Sequence, residues 1–132
     1  MSVKRVNISS GSSFEKKFGY SRAVKVGDTV YISGTVGFNY ETGDISLDPV
    51  EQLRQIIRNI GFALDKAGAK LTDIVQTTVY ITKPEIFNEA IGPELGIIFA
   101  DTLPTCAALV VEFPVPKVVV ELSATAVIGC GD

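Results

Sequence analysis

The chain has 132 residues, 46% of them hydrophobic and 20% charged, with a formal net charge of -3 and a sequence pI near 4.9. That is one globular domain over residues 1–132, large enough to bury a core without metal or disulfide staples, and its balance excludes wholesale disorder. There is no histidine, which removes Ser-His-Asp and Cys-His catalysis, histidine-ligated metals and an imidazole general acid, and the acidic balance lacks the basic footprint of a nucleic-acid binder.

Residues 4–8 read as a short opening strand, followed by a Ser- and Lys-rich loop around Gly11-Ser12-Ser13. Residues 21–26 and 29–33 are β-rich runs separated by Gly27-Asp28, the pattern of a two-residue type II′ hairpin. Gly34 and Gly37 end the second of these strands, and Glu41-Thr42-Gly43-Asp44 forms a turn. Asp48-Pro49-Val50-Glu51 starts a helix, with Asp48 as cap and Pro49 at the first helical position. Leu53, Ile56, Ile57, Ile60 and Leu64 continue at helical spacing, and Gly68 stops it. Residues 73–81 are dense in β-branched side chains and read as a strand. Thr82-Lys83-Pro84-Glu85 starts a second helix carrying Phe87, Ile91, Leu95 and Ile98, which Gly92-Pro93 should kink or break. Residues 105–111 and 117–128 are the last two strands. The order fits an α+β two-layer domain, with two helices covering one face of a sheet. In the final strand Val118, Val120, Leu122, Ala124, Ala126 and Ile128 share the core-facing parity. The other parity, with Glu121, Ser123 and Thr125 between apolar ends, is mixed and suits an oligomer interface.

Cys106 and Cys130 are too few for a secreted disulfide framework. The opening Met1-Ser2-Val3-Lys4-Arg5-Val6 is not followed by the apolar segment of a signal peptide, and no run reaches membrane-spanning length, so a cytoplasmic protein is expected. No nucleotide-binding glycine motif or calcium loop is present, and no metal site is expected.

Several stretches taken together resemble one family. They are 18–24 (Phe-Gly-Tyr-Ser-Arg-Ala-Val), 26–35 (Val-Gly-Asp-Thr-Val-Tyr-Ile-Ser-Gly-Thr), Gln52 with Asn59-Ile60, Ala63-Leu64 and Ala67-Gly68-Ala69, then 73–75, 79–82, Leu103-Pro104-Thr105 and 120–127. In order and spacing they resemble the RidA/YjgF family, also labelled endoribonuclease L-PSP. The resemblance implies a chorismate-mutase-like α+β fold with a mixed β-sheet. It also implies a homotrimer whose sheets form a central β-barrel, with a ligand cleft at each subunit interface. The implied chemistry is cofactor-free hydrolysis of small reactive imines and enamines to a keto acid and ammonia. The water-activating Glu falls on Glu121, the pocket Ser on Ser33 beside Gly34, and the Tyr on Tyr20. Where the family places a carboxylate-gripping Arg, this chain has Cys106, and a thiol offers neither the charge nor the paired hydrogen bonds of a guanidinium.

Each candidate has a plainer reading. Glu121 is either a solvent-facing residue on a polar strand face or a cleft carboxylate whose burial raises its pKa for water activation. Arg22 is either a surface arginine or a replacement anion grip beside Tyr20. Cys106 is a small apolar core or pocket thiol rather than a nucleophile, having no evident group to lower its pKa. Cys130 reads as a thiol in a flexible tail. The expected partner is a small metabolite with a carboxylate, and the competing functions are a non-catalytic ligand-binding trimer and an endoribonuclease.

Overall fold

The computed structural model describes residues 3–132; Met1 and Ser2, which open the stretch read as lacking a leader, lie outside it. Six strands, β1 (Arg5–Ile8), β2 (Ala23–Val26), β3 (Thr29–Thr35), β4 (Ile74–Ile81), β5 (Thr105–Val110) and β6 (Val120–Val127), form one sheet in the order β1-β2-β3-β6-β4-β5. β4 and β5 run parallel and every other pair is antiparallel, so the sheet is mixed. Val26 pairs with Thr29 across the Gly27-Asp28 hairpin. Gly27 has φ +60° while Asp28 stays at negative φ, the combination a type II′ turn requires.

Helix α2 (Pro49–Ala67) forms where its signals place it: the Asp48 side chain accepts from the Val50 N–H, and Gly68 closes the helix at φ +82°. Leu53, Ile56, Ile60, Ala63 and Leu64 on one stripe bury against Val30, Ile32, Val79, Val120, Leu122 and Ala126 of the sheet. The core is that layer boundary. Gln52 and Asn59 are also fully buried on α2, and both tie down irregular backbone. Gln52 Nε2 donates to Ser46 and Lys117 carbonyls at 2.8 and 2.7 Å, and its Oε1 accepts from Val119 N–H at 3.1 Å. Asn59 Nδ2 donates to the carbonyls of Val36 and Phe38.

Four expectations need correction. The segment read as a loop around Gly11-Ser12-Ser13 contains a further helix, α1 (Ser13–Phe18), capped by Ser12 and closed by Gly19 at φ +73°; the helices therefore number more than the two expected. Gly34 does not end β3 but lies inside it. The last strand starts at Val120 rather than residue 117, because Lys117 adopts φ +72°. The C-terminal tail is not loose, since Gly131 N–H donates to the Asp73 carboxylate at 2.9 Å and the Cys130 thiol approaches the Asp73 carbonyl at 3.4 Å. The disruption expected at Gly92-Pro93 takes the form of a π turn (Phe87–Ile91) between α3 (Pro84–Ile86) and α4 (Gly92–Ile98), which absorbs the missing proline N–H without ending the helical path.

Candidate functional site

The site begins with a defect in pairing. Between β3 and β6, Ile32 pairs with Ala124 and Thr35 with Leu122, so Ser33 and Gly34 together face Ser123. One extra residue on β3 makes a β-bulge, a device that re-aims backbone and side chains locally. Its shape is held by a backbone bond, Ser33 N–H to the Arg22 carbonyl at 3.0 Å, and by three side-chain bonds: Ser33 Oγ to the Ser21 carbonyl at 2.6 Å, Thr35 Oγ1 to the Ser33 carbonyl at 2.8 Å, and Arg22 Nη2 to the Gly34 carbonyl at 2.5 Å.

Glu121 on β6 lies against this bulge. Its strand alternates between buried Val120, Leu122, Ala124 and Ala126 and half-buried Glu121, Ser123, Thr125 and Val127, so Glu121 occupies the sheet face opposite α2. A Cβ placed on Gly34 would stand 2.8 Å from the Glu121 carboxyl carbon and 2.9 and 3.0 Å from its two oxygens. Gly34 is therefore bare where the carboxyl rests. Burial pushes the Glu121 pKa above the ordinary carboxylate value, and the nearby Arg22 charge acts against that rise without cancelling it. Glu121 is thus a partly desolvated carboxyl beside one cation, holding its proton more tightly than a free side chain does. Tyr80 on β4 is its cross-strand neighbour on the same face.

Arg22 is not the surface residue of the plainer reading. It is 7% exposed, its guanidinium lies 5.8 Å from the centre of the Tyr20 ring, and its Nε is buried without a hydrogen-bond partner. Tyr20 itself is 41% exposed and forms the open side of the cluster. Tyr20, Arg22, Ser33, Gly34 and Glu121 are accordingly gathered at one corner of the sheet.

Cys106 is not with them. It pairs with Thr77 on β4, which pairs with Ala124 on the helix-side parity of β6, whereas Glu121 points to the opposite face. Two strands across and three residues along, the two Cα atoms lie on the order of 14 Å apart. Nor is Cys106 a core thiol within the chain, because every residue of β5 is exposed. Among the described residues no group of three or more Cys, Asp or Glu side chains is arranged to hold a metal. Among the described residues, one hollow of about 180 Å³ lies on the outer sheet face beside Tyr31, Gln76 and Thr125, and another of about 200 Å³ lies beside Arg22, Tyr40 and Phe62. Neither is lined by Glu121.

Thr35 and Tyr80 were not foreseen from the sequence. Thr35 is fully buried and braces the bulge, and Tyr80 flanks Glu121 only through a register that no local pattern encodes.

Comparison with known proteins places this arrangement in context. The profile of the family described as endoribonuclease L-PSP matches residues 11–128. A RutC family protein of Pyrococcus abyssi is 32% identical over 108 residues, covering 81% of this chain and 84% of its own length. The 2-iminobutanoate/2-iminopropanoate deaminase of Mus musculus is 34% identical over 111 residues, covering 83% and 82% respectively. Among solved structures, Rv2704 of Mycobacterium tuberculosis, described as a member of the YjgF/YER057c/UK114 family, is 35% identical with a TM-score of 0.84, covering 95% of this chain and all of that one.

Proposed function

From the premise that this chain belongs to the endoribonuclease L-PSP family, which includes the YjgF and RutC proteins, we propose that it hydrolyses a small imine or enamine carrying a carboxylate, with Glu121 as its acid–base group. The observation that supports this best is the Glu121 carboxyl itself: half-buried, raised in pKa, and resting on bare backbone at Gly34 beside Arg22, in a chain with no histidine. The names of the mouse, human and Dermatophagoides farinae relatives describe deamination of such imines.

In this reaction the ionised Glu121 accepts a proton as water oxygen bonds to the imine carbon. The C=N electron pair moves to nitrogen, which takes up a proton, giving a tetrahedral carbinolamine. Protonated Glu121 then supplies a proton to the nitrogen, the C–N bond breaks, ammonia leaves, and loss of the hydroxyl proton forms the keto acid. Water is the co-reactant, and no change of oxidation state calls for a cofactor. Tyr20, Ser33 and Gly34 wall the substrate, and Arg22 provides the positive field. Cys106 joins from a neighbouring copy, because within one chain it sits on the other face of the sheet. A homotrimer with the sheets arranged around a central barrel is the assembly that the family resemblance suggests, and a cytoplasmic setting suits its two unpaired thiols.

Ammonia release from 2-iminopropanoate generated in situ tests the reading. Wild type should accelerate release, and Glu121→Gln should lower kcat by about 10²- to 10⁴-fold with the assembly intact. Full activity in Glu121→Gln overturns the role of this carboxylate. No acceleration by wild type, with a carboxylate ligand still bound, favours the binding protein instead. RNA cleavage that co-purifies with the chain and disappears in Glu121→Gln would favour the nuclease that the family description names.

A further inference from the structure

Resting on Glu121 as the hydrolytic carboxylate, we propose that Arg22 is a positioning residue: it pins the Gly34 bulge so that the Glu121 carboxyl is held over bare backbone, and it does not itself grip the substrate. The argument starts from what the guanidinium has left to offer. Nη2 is committed to the Gly34 carbonyl at 2.5 Å, Nε is sealed from solvent, and the side chain is 7% exposed. A carboxylate grip needs two neighbouring N–H groups presented outward as a fork. With Nε sealed and Nη2 held by Gly34, Nη1 is the one guanidinium nitrogen left neither bonded nor sealed, so Arg22 lacks the matched pair a bidentate grip uses.

What it holds is more telling. Ser33 and Gly34 lack regular partners on β6, so the bulge needs anchors from outside the ladder. Of its three side-chain anchors two are hydroxyls, and the third is the Arg22 guanidinium, the one that reaches Gly34 itself. A shift of the Gly34 backbone by a fraction of an ångström would either open a gap under the carboxyl or push it away, since the missing Cβ is the whole of the clearance. The same guanidinium supplies the positive charge that opposes the burial-driven rise in the Glu121 pKa. Arg22, just ahead of β2, is the charged group that acts on Glu121, Tyr80 of β4 is its cross-strand titratable neighbour, and β3 brings the Gly34 backbone against it. Arg22 therefore sets both where the carboxyl sits and how readily it ionises.

The experiment follows the Glu121 carboxyl by carbon-13 NMR titration in the intact protein, assigned by loss of its signal in Glu121→Gln. It is run alongside kcat and KM for 2-iminopropanoate, in wild type, Arg22→Gln, Arg22→Lys and Gly34→Ala. Arg22→Gln should raise the Glu121 midpoint and lower kcat about tenfold or more while leaving KM within about twofold. Arg22→Lys should restore the midpoint more fully than kcat, because it returns the charge without the fork. Gly34→Ala, whose new Cβ first meets the far end of the Glu121 side chain, should fold and lose kcat with Arg22 untouched. A raised KM in Arg22→Gln, with midpoint and kcat unchanged, overturns the proposal in favour of a substrate grip. Should Arg22→Gln not fold, wild-type midpoint and kcat in both Arg22→Lys and Gly34→Ala overturn it equally. If wild type turns over no imine, the midpoints still decide the positioning role, and the deaminase reading alone falls.

Discussion

Glu121 is more weakly tolerated as an anion in the folded chain than in the unfolded one, and this has a measurable sign. Burial raises its folded pKa, so between the ordinary carboxylate value and the raised one the native state binds more protons than the unfolded state, and stability falls as pH rises. The penalty is complete above the raised value and absent well below the ordinary one. Glu121→Gln removes the ionisable group, so at pH 7 it should be at least as stable as wild type, with the advantage vanishing near about pH 3. Urea denaturation at both pH values and equal protein concentration checks this, and a variant less stable at pH 7 would mean that favourable contacts hold the carboxylate. At this scale the sequence was informative where chemistry is local. Absence of histidine leaves proton transfer to a carboxylate, Tyr, Lys, Cys, backbone or water, and the family resemblance points among these to Glu121, with Ser33 beside it. It left Arg22 between a surface residue and an anion grip, and gave no sign of its bond to a carbonyl twelve residues away at a bulge.

Elements were legible to the extent that their ends are chemically marked. α2 carries a cap, a proline at its start and a glycine at its stop, and forms as those signals direct. α1 escaped notice because six residues are too few for a helical period to emerge, although Ser12 and Gly19 mark both ends. Gly34 read as a strand end because an isolated glycine in a β-run signals either a stop or a bulge, and only the β6 register decides between them. Buried polar residues inside a helix tell a similar story. Gln52 looks unremarkable in sequence, yet it satisfies two carbonyls and one N–H in the loops on either side of it. Gln52→Leu preserves volume but leaves all three backbone groups unpaired, each worth about 1–3 kcal/mol, so a loss of about 3 kcal/mol or more in urea unfolding is expected. A loss below about 1 kcal/mol would show that water reaches those groups.

At the level of the whole molecule, the two sheet edges differ. β1 begins at Arg5 next to Lys4, whereas β5 (Thr-Cys-Ala-Ala-Leu-Val) has no charge, no proline and no bulge, and every residue is exposed, including Leu109 at 49% and Val110 at 55%. Uncharged edges of this kind template further pairing unless another surface covers them. The expected covering is a second and third copy of the chain, giving a light-scattering mass about three times 14.1 kDa. Leu109→Lys should dissociate it and abolish imine hydrolysis by opening the cleft proposed between copies. A monomeric wild-type mass at micromolar concentration would overturn both the assembly and the shared cleft. None of this edge asymmetry follows from strand propensity, since residues 105–111 look as apolar as a central strand; it is strand order that leaves them outermost.

The unequal count along β3 sets durability against chemistry. Without Gly34, the outward-inward order of Tyr31, Ile32, Ser33 and Thr35 would match Thr125, Ala124, Ser123 and Leu122 one for one, and the ladder would zip shut. A chain shortened by that single residue would gain regularity and lose the platform beneath its acid. Selection for heat endurance alone would therefore tend to discard the very residue that selection for turnover must keep.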